Sequence, residues 1–280
     1  MFNYQILDRI SLFLTYQIMS KTIGLALGSG GLKGLAHVGV IKVLEKNKIK
    51  ISHIAGTSMG ALVGAYYALY QNAVDLEMVA LGGKWDKFLS LLAPTFKLGF
   101  VKGEKVEKLL NIWFGNKEFK DTKIPLRIIA TDLVTGKEVV FSKGKIADAV
   151  RASVSIPMFF QPVKNSTQLL VDGGLCQPVP VKAVRDAGAK FVVAVNLDNY
   201  QVNKWFKPNQ ASLASITIRS FDIVRHYLGH CSSAAADMIV EPRFNDNDLT
   251  VWKKYFISNT GKDSVLEGER AMKKQIKKLL

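Results

Sequence analysis

Residues 22–69 run twice through the same unit: a short apolar segment, a glycine-bearing turn, and a helix-period stretch. Thr22–Leu27 (TIGLAL) is nearly continuous in apolar residues and ends at glycine, as a strand buried on both faces must. Leu35–Lys46 follows with helical periodicity, then Ile51–Gly56 as a second strand and Met59–Leu69 as a second helix rich in small residues. Strand–helix–strand–helix with so little connecting chain requires parallel strands with helices packed on their faces. The expected fold is therefore α/β, a three-layer α/β/α sandwich around a mainly parallel sheet.

Further along, Glu104–Phe114 reads as a helix, and Pro125–Thr131 as a strand turned by Thr135-Gly136-Lys137 into a hairpin partner at Glu138–Ser142. Leu169–Val171, Phe191–Asn196 and Met238–Val240 are further strands; Val179–Ala187, Leu213–Leu228 and Ser264–Leu280 are helices. No repeat, low-complexity stretch or linker divides the chain, so residues 21–280 are expected to form one domain. Residues 1–20 stand apart. Ile6, Leu7, Ile10, Phe13 and Leu14 share one helical face, consistent with a short amphipathic helix at a membrane surface, whereas Met19 would equally open a strand-first domain. Asp8 and Arg9 interrupt the apolar run, and no signal-peptide pattern follows.

Three motifs carry chemistry. Gly56-Thr57-Ser58-Met59-Gly60 is a G-x-S-x-G between an expected strand and an expected helix, the setting in which a sharp turn exposes a serine hydroxyl. The helix beginning there aims free N–H groups and its positive dipole end at that hydroxyl. A helix-capping serine in a glycine turn is the plainer reading. Gly28-Ser29-Gly30-Gly31-Leu32-Lys33-Gly34 follows the first strand and lets backbone N–H groups approach a ligand oxygen. The spacing fails G-x-G-x-x-G from Gly28, no acidic residue stands where a ribose contact belongs, and there is no G-K-[ST]. An oxyanion hole is preferred to a phosphate cradle. Asp172-Gly173-Gly174 ends a short strand and could project a carboxylate into the crevice beyond the sheet, although Asp-Gly is also a common turn.

Taken in order, these motifs resemble the patatin-like phospholipases, in particular bacterial single-domain members. GLALGSGGLKGLAHVGVIKVLEK is similar to that family's first strand, oxyanion loop and helix; AGTSMGALVGA to its nucleophile elbow; ASVSIPMFFQPV to the segment before its acid; and VDGGLCQPVPV to the acid. The resemblance implies a lipid acyl hydrolase of phospholipase A or lysophospholipase type, with a Ser–Asp dyad and no catalytic histidine. Position by position, Ser58 is the nucleophile and Asp172 the base. Backbone N–H groups at Gly30 and Gly31, in the loop closing at Lys33-Gly34, form the oxyanion hole, with Gly56, Gly60, Gly173 and Gly174 shaping the elbow and acid turns. Ser29 replaces a glycine common in the family, and Lys33 a more usual arginine. No metal or cofactor is implied.

The rival is an α/β-hydrolase triad of Ser58, Asp172 and His226 or His230, whose chain order is satisfied. Both histidines lie inside an expected helix, however, and the elbow comes early for that fold. His37 and His53 precede Ser58 and read as a core-edge and a surface histidine. Cys176 and Cys231, without paired-ligand spacing, exclude a disulfide framework or cysteine-rich zinc site. The net charge of +15 favours polyanionic partners. Dispersed basic residues without a helix-turn-helix, zinc-finger or RNP pattern argue against nucleic acid and leave an anionic membrane face. Residues 253–280 hold eight Lys/Arg against three Asp/Glu. The expectation is a cytoplasmic protein in peripheral contact with the inner membrane face, acting on a lipid or ester. The apolar segment Trp85–Val101 is a candidate flap over an acyl cleft.

Overall fold

The computed structural model describes residues 22–82, 103–157, 159–199, 211–244 and 261–280. The candidate flap, the amino-terminal extension and the start of the basic terminal segment lie outside them. The central sheet holds β1 (Thr22–Leu27), β2 (Lys50–Thr57), β3 (Leu126–Asp132), β4 (Lys137–Phe141), β5 (Val163–Lys164), β6 (Leu169–Asp172), β7 (Val192–Val195) and β8 (Met238–Val240). Their order is β5-β6-β3-β2-β1-β7-β8, with β4 also paired to β3. The β3-β2-β1-β7-β8 run is parallel, and β4, β5 and β6 pair antiparallel at one side.

Alternation along the strands builds a core on each face of the sheet. Leu25, Leu27, Ile54, Val193 and Val195 face one side, together with α1 (Ala36–Lys46), α2 (Met59–Tyr70), α3 (Ala73–Ala80), α4 (Gly103–Phe114), α5 (Ile146–Ser153) and α8 (Gly261–Gln275). Ala26, Ala55, Ile129, Val192 and Ala194 face the other, against α6 (Val181–Asp186). Successive strand side chains must point to opposite faces, so strands covered on both sides are apolar throughout. This is the expected layered α/β fold. The long α7 (Leu213–Ser233) follows β7. The basic α8 packs closely on α1, where Gly39 meets the Val265 carbonyl and Gly268 the Ala36 carbonyl, with Lys42 bonded to Glu269 at 2.7 Å, while Lys262, Lys273 and Lys274 stay exposed.

One register places the site. β2 pairs with β3 over Leu126–Ile129, and β6 pairs with β3 over Ala130–Asp132. β4 overlaps both stretches, from Ile128 to Asp132. A strand has two edges, so β2 and β6 must share the edge opposite β4. They run in opposite directions along it, and their carboxyl ends meet: Thr57 pairs with Ile129 and Asp172 with Ala130.

Candidate active site

Ser58 follows that meeting point and has φ 55° and ψ −120°, a conformation non-glycine residues rarely hold. Such strain persists only where the surroundings enforce it. Here Gly60 presses on the end of β1: a β-carbon on it would stand 2.2 Å from the Leu27 carbonyl oxygen, and one on Gly56 would stand 2.3 Å from the Gly60 carbonyl oxygen. The strand–turn–helix crossing is therefore open only to glycine at these positions.

The turn aims Ser58 Oγ–H at the Asp172 carboxylate, Oγ to Oδ2 being 2.5 Å. The other carboxylate oxygen accepts the Gly174 N–H at 2.7 Å. Gly173 lies against the Ile129 carbonyl and Thr57. Thr131 Oγ1 donates to the Asp172 carbonyl oxygen, 3.0 Å away. Both side chains are buried, and burial pushes the Asp172 carboxyl up to about 6. The bonds from Ser58 and Gly174 and the charge of Arg225 pull it back down, while Asp198 adds to the rise. A carboxylate of that basicity is better matched to accepting a hydroxyl proton near neutral pH than an ordinary aspartate.

The glycine loop lies over the elbow. Residues 28–30 are loop and Gly31–Leu35 a 3₁₀ turn, so the expected seven-residue loop is partly helical. Gly31 has φ +53°, and Gly30 sits against Leu197. Gly34 packs on Met59, the residue after Ser58, which draws the loop across the start of α2. The first N–H groups of α2 have no partner within the helix. Lys33 is buried, its Nζ 5.9 Å from the centroid of the Phe244 ring. The loop's entry is pinned by His37, read from sequence as a core-edge residue: it is fully buried with Nε2 2.7 Å from the Gly28 carbonyl oxygen. Burial lowers its pKa to about 4, so the ring is neutral and donates from Nε2.

Residues that sequence reasoning did not single out complete the arrangement. Ser153, at the end of α5, accepts the Ser58 N–H at 2.8 Å and donates to the Ile129 carbonyl at 2.6 Å. Two residues on, the Ser155 carbonyl accepts the Asp172 N–H at 3.0 Å. Beyond β7, buried Asp198 meets Arg225 Nη2 at 2.5 Å and accepts a longer bond from Ser29 Oγ at 3.3 Å. The signal for Ser153 lay in the ASVSIP stretch, and for Asp198 in its position just past a parallel strand, where such sheets collect ligand-facing groups.

The triad is not what the geometry assembles. Ser58 meets the carboxylate directly, with no imidazole between, and His226 Nδ1 is instead 2.8 Å from the Asp198 carbonyl oxygen. Among the described residues no group of three or more His, Cys, Asp or Glu could hold a metal ion. Nor is any described helix long and apolar enough to cross a membrane.

Comparison with known proteins places the chain among lipid hydrolases by family. The family described as patatin-like phospholipase matches residues 25–185. An uncharacterized NTE family protein of Mycobacterium tuberculosis is 37% identical over 186 residues, 64% of this chain and 50% of that protein. The lysophospholipase nte1 of Aspergillus fumigatus is 30% identical over 196 residues, 68% of this chain but 13% of that protein. The matched region is thus half or less of these relatives' length. The crystal structure of VipD from Legionella pneumophila superposes with a TM-score of 0.49 and 12% identity, over 90% of this chain and 66% of that one. With the profile match covering more than half of its length, the chain belongs to the patatin-like phospholipase family.

Proposed function

We propose that the chain is a serine lipid acyl hydrolase in which Ser58 and Asp172 form a catalytic dyad. The observation that carries this is the 2.5 Å bond from a strained elbow serine to a buried carboxylate of raised pKa. Ser58 Oγ attacks the ester carbonyl carbon while its proton passes to Asp172. The carbonyl oxygen becomes an oxyanion, held by N–H groups of Gly30 and Gly31 and of the first turn of α2. The tetrahedral intermediate collapses, the proton on Asp172 goes to the departing alkoxide, and an alcohol or lysolipid leaves. Water activated by Asp172 then attacks the acyl-serine, releasing the fatty acid and restoring both groups.

Family membership and the likeness to a lysophospholipase support a glycerophospholipid or lysophospholipid substrate. Residues 21–280 act in this reading as one catalytic domain that needs no metal or cofactor, reaching lipid by peripheral contact at the cytoplasmic face of an anionic membrane. A fluorophosphonate ester probe tests the chemistry. Covalent labelling of the unmodified protein should vanish in Ser58→Ala and fall steeply in Asp172→Asn. Undiminished labelling of Ser58→Ala would end the proposal.

A further inference from the structure

Helix α7 is inverted for a helix on the outside of a protein. Of its 21 residues, Arg219 and Asp222 are buried, and Arg225 and His226 turn inward to Asp198. Gly229, on the same side, packs against Asn196 and Asp198. The opposite side carries Leu213, Ile216, Val224 and Tyr227 at helical spacing, with Phe221 at its margin, and all five are exposed. Leu213 is 83%, Val224 61% and Tyr227 66% accessible, so these side chains are little covered by the other described residues. A water-facing helix has the reverse arrangement.

The helix that carries the stripe is anchored next to the glycine loop. α7 is bonded through Asp198 to Ser29 of the glycine loop, on the β7 side of the site. On the β3 side, Leu133 and Val134 are exposed at the tip of the β3–β4 hairpin. That tip is tied to the chain just past Asp172 by the Cys176 thiol, whose Sγ is 3.3 Å from the Gly136 carbonyl oxygen. Exposed apolar side chains therefore flank the catalytic edge of the sheet on both sides. The charge pattern indicates what they meet. The one carboxylate that α7 carries, Asp222, is buried, so nothing acidic on the exposed face opposes an anionic surface, and the chain as a whole has a net charge of +15.

We infer that the outer face of α7 is a membrane-docking surface that seats the catalytic edge on an anionic bilayer. Apolar side chains enter the interface while the net positive charge of the chain draws it to anionic headgroups. The inference rests on the lipid acyl hydrolase reading and names the surface through which the lipid is reached.

Binding is measured by co-sedimentation of Ser58→Ala protein with phosphatidylcholine vesicles containing about a third phosphatidylglycerol, so that turnover plays no part. Adding Ile216→Asp and Val224→Asp should lower the partition coefficient roughly tenfold or more. Leu213→Asp alone, at the first turn where an acid suits the helix, should lower it about threefold. In the Ser58 background, both variants should leave hydrolysis of a short-chain soluble ester within about twofold. Unchanged partition in both variants overturns the inference. So does a dimer that becomes a monomer on these substitutions while partition stays the same, which would make the face a contact between copies. Vesicle binding by a protein that hydrolyses no ester would instead leave the docking surface standing and remove the hydrolase reading.

Discussion

The Ser153 hydroxyl takes the place of a ladder rung beneath Ser58: it accepts the Ser58 N–H and donates to the Ile129 carbonyl at the point where β2 and β6 both end. Ser155 holds the Asp172 N–H from the same segment. One stretch of chain thus fixes the backbones of both proposed catalytic residues.

Ser153→Ala should therefore leave a buried N–H and a buried carbonyl without partners, costing about 1–3 kcal/mol of stability. It should also lower kcat about tenfold or more with little change in KM, because it loosens the nucleophile rather than the substrate. Ser153→Thr, which keeps the hydroxyl, should recover most of kcat. Equal kcat in the alanine variant would show that the elbow holds itself.

The pH dependence of activity follows from Asp172, whose carboxyl burial raises to about 6. As the proposed base it would work only when ionised, so kcat/KM should rise through about pH 6 and level off above it. Arg225 favours the ionised form and Asp198 opposes it. Arg225→Gln, which removes a positive charge that also bears on Asp198, should move the acidic limb to higher pH. A limb that stays in place in a pH–rate profile would show that Arg225 does not reach the base.

Stability should carry opposite signatures from two buried groups. Between its ordinary 3.8 and about 6, Asp172 holds a proton in the folded protein that the unfolded chain has released, so its contribution falls as pH rises. Between about 4 and its ordinary 6.5, His37 holds a proton only when unfolded, so its contribution rises with pH. Each amounts to about 3 kcal/mol, and over the shared window they largely cancel. Asp172→Asn should remove the first alone. Its unfolding free energy should then climb with pH from about 4 to 6.5 and exceed the unmodified protein's by about 1–3 kcal/mol at neutral pH. Denaturant titrations at a series of pH values read this directly.

Gly60→Ala should be among the most damaging small substitutions, because its methyl would stand 2.2 Å from the Leu27 carbonyl oxygen, backbone that has no room to move. A loss of about 3 kcal/mol or more is expected, with the glycine loop displaced and probe labelling of Ser58 lost. A thermal midpoint close to that of the unmodified protein would mean that the β1–α2 crossing is looser than the packing implies.

Much of the fold was legible in the chain itself, since periodicity and glycine placement are local properties. β1, β2, β3 and β8, and helices α1, α2 and α4, fall within a residue or two of where apolar spacing puts them. Eight-residue α3 and α5 and two-residue β5 were not readable, because stretches so short contain too few repeats for either period to stand out. The three motifs were visible for the same local reason: a tight turn, a strand end and a backbone approach each demand particular residues at fixed spacing. What only the tertiary structure decided is which motifs meet. Ser58 and Asp172 are 114 positions apart and converge because β2 and β6 end against consecutive residues on one edge of β3. The roles of Ser153, His37, Asp198 and Arg225, and the outward turn of the apolar stripe on α7, depend on partners distant in sequence. Spacing within a segment carries no record of what packs against it.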